Sequence, residues 1–303
     1  MIRILGTVFA GLLGLAFGSF LNVCLTRWPE GESVVKPRSH CRSCVHTLTW
    51  WENLPLVSWL ALRGRCRICG TWIGWRYPLV EVAVAALWAI AIWRTLPAIL
   101  SPNLSPMSDF ALFCYASGLG AALQKMILYW LLVALAALDA ENLWLPNWIT
   151  LPGIAMGFAF ASLNFFLADW YAEGPTISWI GTILAASIGP FIAMLAAACL
   201  ILLLRWVYWI IRRREGLGLG DAKLMAMLGA WLGLSGALLS FGIGVLLGAI
   251  AALFVLAIPS LRRGAETWTA AKLPLGTFLC IGGIVSALWG QPIIAAYLRW
   301  AGF

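Results

Sequence analysis

The sequence predicts an all-α polytopic membrane protein of about eight transmembrane helices, with one small polar module between the first and second. Three observations predict it. Of the 303 residues, 62% are apolar and only 11% charged, where a soluble domain carries about a quarter charged residues. The mean hydropathy is +0.92. The charges that do occur are gathered between long uncharged runs. Disorder, a secreted disulfide scaffold and an ordinary soluble enzyme are excluded together, and most of the surface must face lipid.

A helix rises 1.5 Å per residue and needs about 20 apolar residues to cross the hydrocarbon core. Ile4 to Thr26 is uncharged, and Tyr77 to Trp93 contains only Glu81. Phe110 to Leu138 is interrupted by Lys125 alone; Asn142 to Ala168 and Gly174 to Leu204 carry no charge. Leu224 to Leu261 would measure about 57 Å as one helix, so it is expected to fold back near Gly233 to Gly236, with a first leg too short for a certain crossing. Pro274 to Leu298 closes the chain. The expected division is a first transmembrane helix over 1–26, a polar module over 27–76 and a helical bundle over 77–303. Arg3 before the first run suggests a signal peptide, but the run is too long and lacks a small-x-small cleavage site.

Threading these crossings puts the polar stretches 27–76, 205–223 and 262–272 on one face, with 16 of the 20 basic residues. By the positive-inside rule that face is cytoplasmic, so the cationic balance of +8 reports orientation in a cytoplasmic membrane and not a nucleic-acid partner. Many of the 19 Trp residues, Trp144, Trp148, Trp206 and Trp209 among them, fall near segment ends, where amphipathic rings favour the interface or pack between helices.

The polar module contains Cys41 and Cys44 in CRSC and, after a 21-residue spacer, Cys66 and Cys69 in CRIC. Two such pairs can wrap a tetrahedral Zn2+ with four thiolates. The competing reading, two disulfides, needs an oxidising compartment, and the charge bias places the loop in a reducing one. Four thiolates leave no open position for water, so this zinc would be structural, folding a module too small for its own core. His40 and His46 flank the first pair as substitute ligands. Cys24, Cys114, Cys199 and Cys280 lie in apolar runs and read as inert.

Ionisable groups against apolar spans are costly, which singles out Asp139 in LALDAENLWLPNW and Asp221 in GLGLGDAKL. Both fall at the cytoplasmic edge of the threaded topology, 82 residues apart. Two carboxylates sharing a desolvated site do not both ionise, so one can activate water while the other, protonated, polarises a carbonyl: aspartic protease chemistry. Gly216, Gly218 and Gly220 permit close approach of another chain. Helix-capping aspartates are the bland alternative. Lys223 either holds a substrate carboxylate or neutralises Asp221. Glu81 either lines a ligand site or pairs with an arginine. Glu141 reads as an interfacial residue, and Lys125 as a snorkelling side chain or the mark of a polar cavity.

GSFLNV at Gly18 to Val23, PRSHCRSC, NLPLVSWLALRGRCRICG, RYPLVE, Asp139 before LP, GLGLGD and PLGTF at Pro274 to Phe278 together resemble the bifunctional type IV prepilin leader peptidase and N-methyltransferase family over most of the chain. The resemblance implies an integral aspartic endopeptidase of the bacterial cytoplasmic membrane that removes the leader from prepilins or pseudopilins after a glycine. It also implies methylation of the new N-terminal residue, usually Phe, from S-adenosylmethionine. By motif position Asp139 and Asp221 would be catalytic and Cys41, Cys44, Cys66 and Cys69 would hold zinc. Two positions depart from the pattern: Val45 stands where the family often has glycine, and Asn147 where it often has aspartate. No glycine-rich nucleotide fingerprint marks a donor pocket, and the polar module with its adjoining helix ends is the only suggestion for one. A zinc-dependent membrane hydrolase and a non-enzymatic transporter are the competing classes; the first lacks an HExxH motif and the second an inverted repeat.

Overall fold

In hydrocarbon a backbone amide finds no partner except the next turn of its own helix, so long uncharged runs become helices. A computed structural model of the chain describes residues 1–99, 109–173, 179–213, 218–257 and 273–302. In order the helices are α1 (Ile2–Arg27), α2 (Val57–Ala61), α3 (Arg76–Ile99), α4 (Asp109–Asn142), α5 (Asn147–Glu173), α6 (Trp179–Arg212), α7 (Leu219–Ala257) and α8 (Leu275–Trp300). All but α2 are long and apolar enough to cross a membrane, seven in all among the described residues. Large apolar side chains such as Phe9, Leu12, Leu184, Leu246 and Leu253 are exposed on them, as lipid-facing positions should be.

The eight expected crossings correspond to these seven helices because α7 is broken within its length. Gly233 adopts φ 71° and ψ 177°, a left-handed angle that costs a residue with a Cβ dearly. The leg before it, residues 219–232, is about 21 Å long, short of a full crossing. Several boundaries move relative to the sequence reading, among them the end of α6, which runs to Arg212 instead of Leu204, and the two beside Asp139. Helix α4 runs on through Asp139 to Asn142, and α5 starts at Asn147. Gly174, Arg214, Gly216, Arg262, Arg263 and Lys272 lie outside the described residues.

The chain forms two compact units, Met1–Ala134 and Leu135–Phe303. In the first, α1 and α3 pack at near backbone contact. A Cβ on Gly14 would lie 2.7 Å from the Ala85 Cα, and one on Gly18 would lie 2.7 Å from the Glu81 Cα. Small residues four apart allow this approach, the usual device where no hydrophobic effect drives helices together. The Arg3 guanidinium sits 3.6 Å over the Trp93 ring and donates to the Trp93 carbonyl.

In the second unit, the leg of α7 before the break packs on α5, where the Trp231 indole donates to the Gly153 carbonyl at 2.7 Å. Beyond the break the Gly236 carbonyl accepts from both Ser240 and Ser286 hydroxyls, at 2.7 and 2.9 Å. Those bonds tie α7 to α8, so the interruption at Gly233 leaves its neighbourhood well anchored.

Candidate functional site: a cysteine module and an aspartate pair

Each cysteine pair of the polar module is built on the same short turn. Cys41 N–H donates to the His46 carbonyl and Val45 N–H to the Cys41 carbonyl; Cys66 N–H donates to Thr71 and Gly70 N–H to Cys66. These loops bring four sulfurs within 4.8 Å of one another. Cys41 and Cys69 Sγ are 3.7 Å apart, and Cys44 and Cys66 Sγ 4.0 Å apart. A tetrahedron of zinc–sulfur bonds has edges of about 3.8 Å, so the four thiolates fit the ion. All four cysteines are free, at separations far from a sulfur–sulfur bond. The Thr71 hydroxyl, 3.3 Å from Cys69 Sγ, together with the Thr71 backbone N–H, brings that thiol down to about 6, favouring the ligating thiolate.

The histidines stand outside this set. His46 Nε2 faces the Glu52 carboxylate at 3.5 Å, and His40 Nδ1 lies 3.0 Å from the Arg38 carbonyl. Glu52 accepts from the Thr49 hydroxyl and N–H, which hold its carboxyl below the usual range. Around the second turn, Trp59, Trp72 and Trp75 pack with ring centroids 4.6 to 5.8 Å apart. The Trp59 indole donates to the Ile73 carbonyl.

The equivalent turn residues differ in one respect. Gly70 takes φ 68° without cost, whereas Val45 is held at φ 58°, where a β-branched side chain loses about 1–2 kcal/mol. Val45→Gly should therefore strengthen apparent zinc affinity about fivefold, since relief of about 1 kcal/mol is a factor of that size. Competition with a chromophoric chelator would read it, and an unchanged affinity would show that the turn is not strained.

Asp139 and Asp221 belong to the second unit and are both buried, 6% and 9% exposed. The fold brings them within electrostatic reach of each other. Asp139 lies in the last turn of α4, and its Oδ2 accepts from the Thr277 N–H at 2.7 Å and the Thr277 hydroxyl at 3.2 Å. Those donors belong to the first turn of α8, whose unpaired amides make a natural seat for a carboxylate. The single proton of the Thr277 hydroxyl is shared between Asp139 and the Ala136 carbonyl, 3.0 Å away. A Cβ on Gly276 would stand 2.9 Å from the Asp139 carboxyl carbon, so only glycine lets α8 come this close.

Asp221 lies in the first turn of α7, and its Oδ2 accepts from the Gly218 N–H at 3.2 Å. Leu145, in the link between α4 and α5, packs against the glycines Gly220 and Gly276 that flank the two acidic positions. Its side chain would meet a Cβ on Gly220 at 3.1 Å and one on Gly276 at 3.0 Å. Lys223 turns elsewhere, its Nζ donating to Asn147 Oδ1 at 2.6 Å. Thr277, Gly276 and Leu145 escaped the sequence reading. Their signals were the PLGTF segment and the LP after Asp139, quoted as motifs but given no task.

A broken-helix membrane bundle with two buried aspartates, joined to a four-cysteine module able to hold a metal ion, fits the class of membrane-embedded aspartic peptidases. Within it the chain belongs to the type IV leader peptidase family. A model described as the bacterial peptidase A24 N-terminal domain matches residues 12–95, and that of the type IV leader peptidase family matches residues 126–253. A prepilin leader peptidase/N-methyltransferase of Pseudomonas aeruginosa is 32% identical, covering 96% of this chain and 93% of its own. Proteins of the same name are 34% identical in Burkholderia pseudomallei (94% and 85%) and 36% in Myxococcus xanthus (89% and 68%). No solved structure matches the chain. Family membership sets aside the transporter and the zinc hydrolase.

Proposed function

We propose that this prepilin leader peptidase/N-methyltransferase cuts with Asp139 and Asp221 and methylates within the cysteine module. The observation that supports the peptidase half is the burial of two carboxylates, at the end of α4 and the start of α7, on either side of Leu145, which lies against both Gly220 and Gly276. Asp221 accepts from Gly218 and Asp139 from Thr277 through Oδ2, donors that hold each carboxyl in place for water and the scissile carbonyl. One carboxylate, ionised, takes a proton from water as it attacks. The other, protonated, stabilises the developing oxyanion, then the roles exchange as the amine leaves.

The basic polar stretches support a cytoplasmic position for the module and the aspartates in the bacterial inner membrane. The substrates are prepilins or pseudopilins, whose charged leader followed by an apolar helix places the cleavage site at the membrane face. Zn2+ on Cys41, Cys44, Cys66 and Cys69 is structural. S-adenosylmethionine supplies an electrophilic methyl group when bound, and a cleft of about 340 Å3 between the module and α1 and α3 is the place offered for it.

Mass spectrometry of a prepilin incubated with the purified enzyme and S-adenosylmethionine tests both halves. Loss of the leader mass and gain of 14 Da on the mature chain, the mass of about one CH2, are the expected results. An intact prepilin would remove the peptidase assignment, and an unmethylated product the second half.

A further inference from the structure

Two of the sequence motifs, GSFLNV and RYPLVE, take no part in either the sulfur cluster or the aspartate pair, yet the fold presses them together. Gly18 meets the Glu81 backbone, and Ser19, Asn22 and Glu81 all line the cleft between α1, α3 and the module. Glu81 is 6% exposed and Asn22 2% exposed. The Glu81 Oε2 accepts from the Leu56 N–H at 2.6 Å, and its other partners are the Ser19 and Asn22 side chains. All three are neutral. The Asn22 amide donates to the Tyr77 carbonyl at 2.9 Å, while its Oδ1, buried, has no hydrogen-bond partner.

A buried carboxylate with no cation beside it and a buried amide oxygen with no donor, both among the described residues, each carry a desolvation cost. Both belong to one wall of one cleft. The complement of that wall is a small group with positive charge and several N–H donors, which is a primary ammonium. Leu54, Trp59 and Trp72 add apolar lining to the same cleft, suited to an apolar side chain beside that ammonium.

We propose that Glu81, with Asn22 and Ser19, receives the N-terminal ammonium of the freshly cut pilin and takes its proton for methyl transfer. This rests on the methyltransferase reading above. The ammonium gives one proton to the Glu81 carboxylate. The neutral nitrogen then forms a bond to the methyl carbon as the carbon–sulfur bond of the sulfonium donor breaks, its electron pair leaving with the thioether. The product is a secondary ammonium, and protonated Glu81 returns its proton to water. The charge balances throughout.

The test uses the full-length protein in detergent, loaded with zinc, and a peptide of the first few residues of a mature pilin beginning with Phe. Direct binding needs no variant: acetylation of the peptide's amine should weaken affinity about tenfold or more, the scale of a charge-assisted hydrogen bond. Glu81→Gln keeps an oxygen for the Leu56 N–H and should lose peptide affinity by a similar factor while binding S-adenosylmethionine as the native protein does. Glu81→Asp should recover part of the methyl-transfer rate. Equal affinity for free and acetylated peptide overturns the proposal, as does a Glu81→Gln variant that loses the donor and keeps the peptide. Zinc content and thermal unfolding identify a variant that has failed to fold, in which case the acetylated peptide decides. Absence of methylation by the native enzyme would instead sink the broader reading.

Discussion

Replacing Asp221 by asparagine should slow leader removal by at least about a thousandfold, within the range lost when a general acid or base is removed. Asp139→Asn should do the same, and the double variant should be no slower than either single one. Groups that share one proton act as a unit, so their losses do not add. Asparagine is close to aspartate in size, and either variant keeps an oxygen for the donors now on Oδ2, Gly218 for Asp221 and Thr277 for Asp139. The fold should therefore survive, and single-turnover cleavage of a detergent-solubilised prepilin would report chemistry alone. Additive losses, with each single variant retaining a tenth of the rate, would mean that the carboxylates work separately and that the shared-proton mechanism is wrong. Thr277→Val supplies a graded control. It removes the hydroxyl from Asp139 but keeps the backbone N–H, so about a tenfold fall is expected from the loss of one charge-assisted bond.

How the two aspartates are seated explains how much could be foreseen. A charge at the edge of an apolar run is visible in the sequence because its cost does not depend on what surrounds it. The cysteine spacing is visible for a similar reason, since two short turns present two sulfurs each wherever they lie. The helices followed from length and the absence of charge, and the interruption at Gly233 from a run twice as long as the membrane is thick. What could not be foreseen came from contacts distant in sequence. Thr277 reaches Asp139 across 138 residues, and no local pattern says that the first turn of α8 will supply that carboxylate with donors. The Glu81 wall forms only where α1 and α3 touch at Gly18. Helix α4 continued past Leu138 to Asn142, since a charge ends an apolar run without ending the backbone hydrogen bonding of the helix. The strain at Val45 was hinted at by the glycine that often stands there, but its sign required the backbone angle.

The cysteine module should lose its structure when a single ligand is removed, because it has almost nothing else to hold it. Between residues 28 and 77 only Glu52, Gly64 and Cys66 are buried, and the regular structure amounts to α2, one short 3-10 turn and two isolated bridges, His40 with Thr47 and Arg65 with Trp72. One buried apolar side chain contributes about 1.5–3 kcal/mol, far below the conformational entropy of ordering some fifty residues. Structural zinc in small domains contributes about 10–16 kcal/mol, which is the scale required. Cys66→Ser should thus lower the zinc content from one ion per chain to near none and open the segment to limited proteolysis. Methyl transfer should vanish with it, because Cys41 and Cys66 line the cleft that Glu81 shares. Leader removal should persist, since Asp139 and Asp221 belong to a separately compact unit. A Cys66→Ser protein that stays protease-resistant without zinc would mean that the tryptophan cluster and the contacts to α1 and α3 suffice, and the metal would then need a role other than holding the module together.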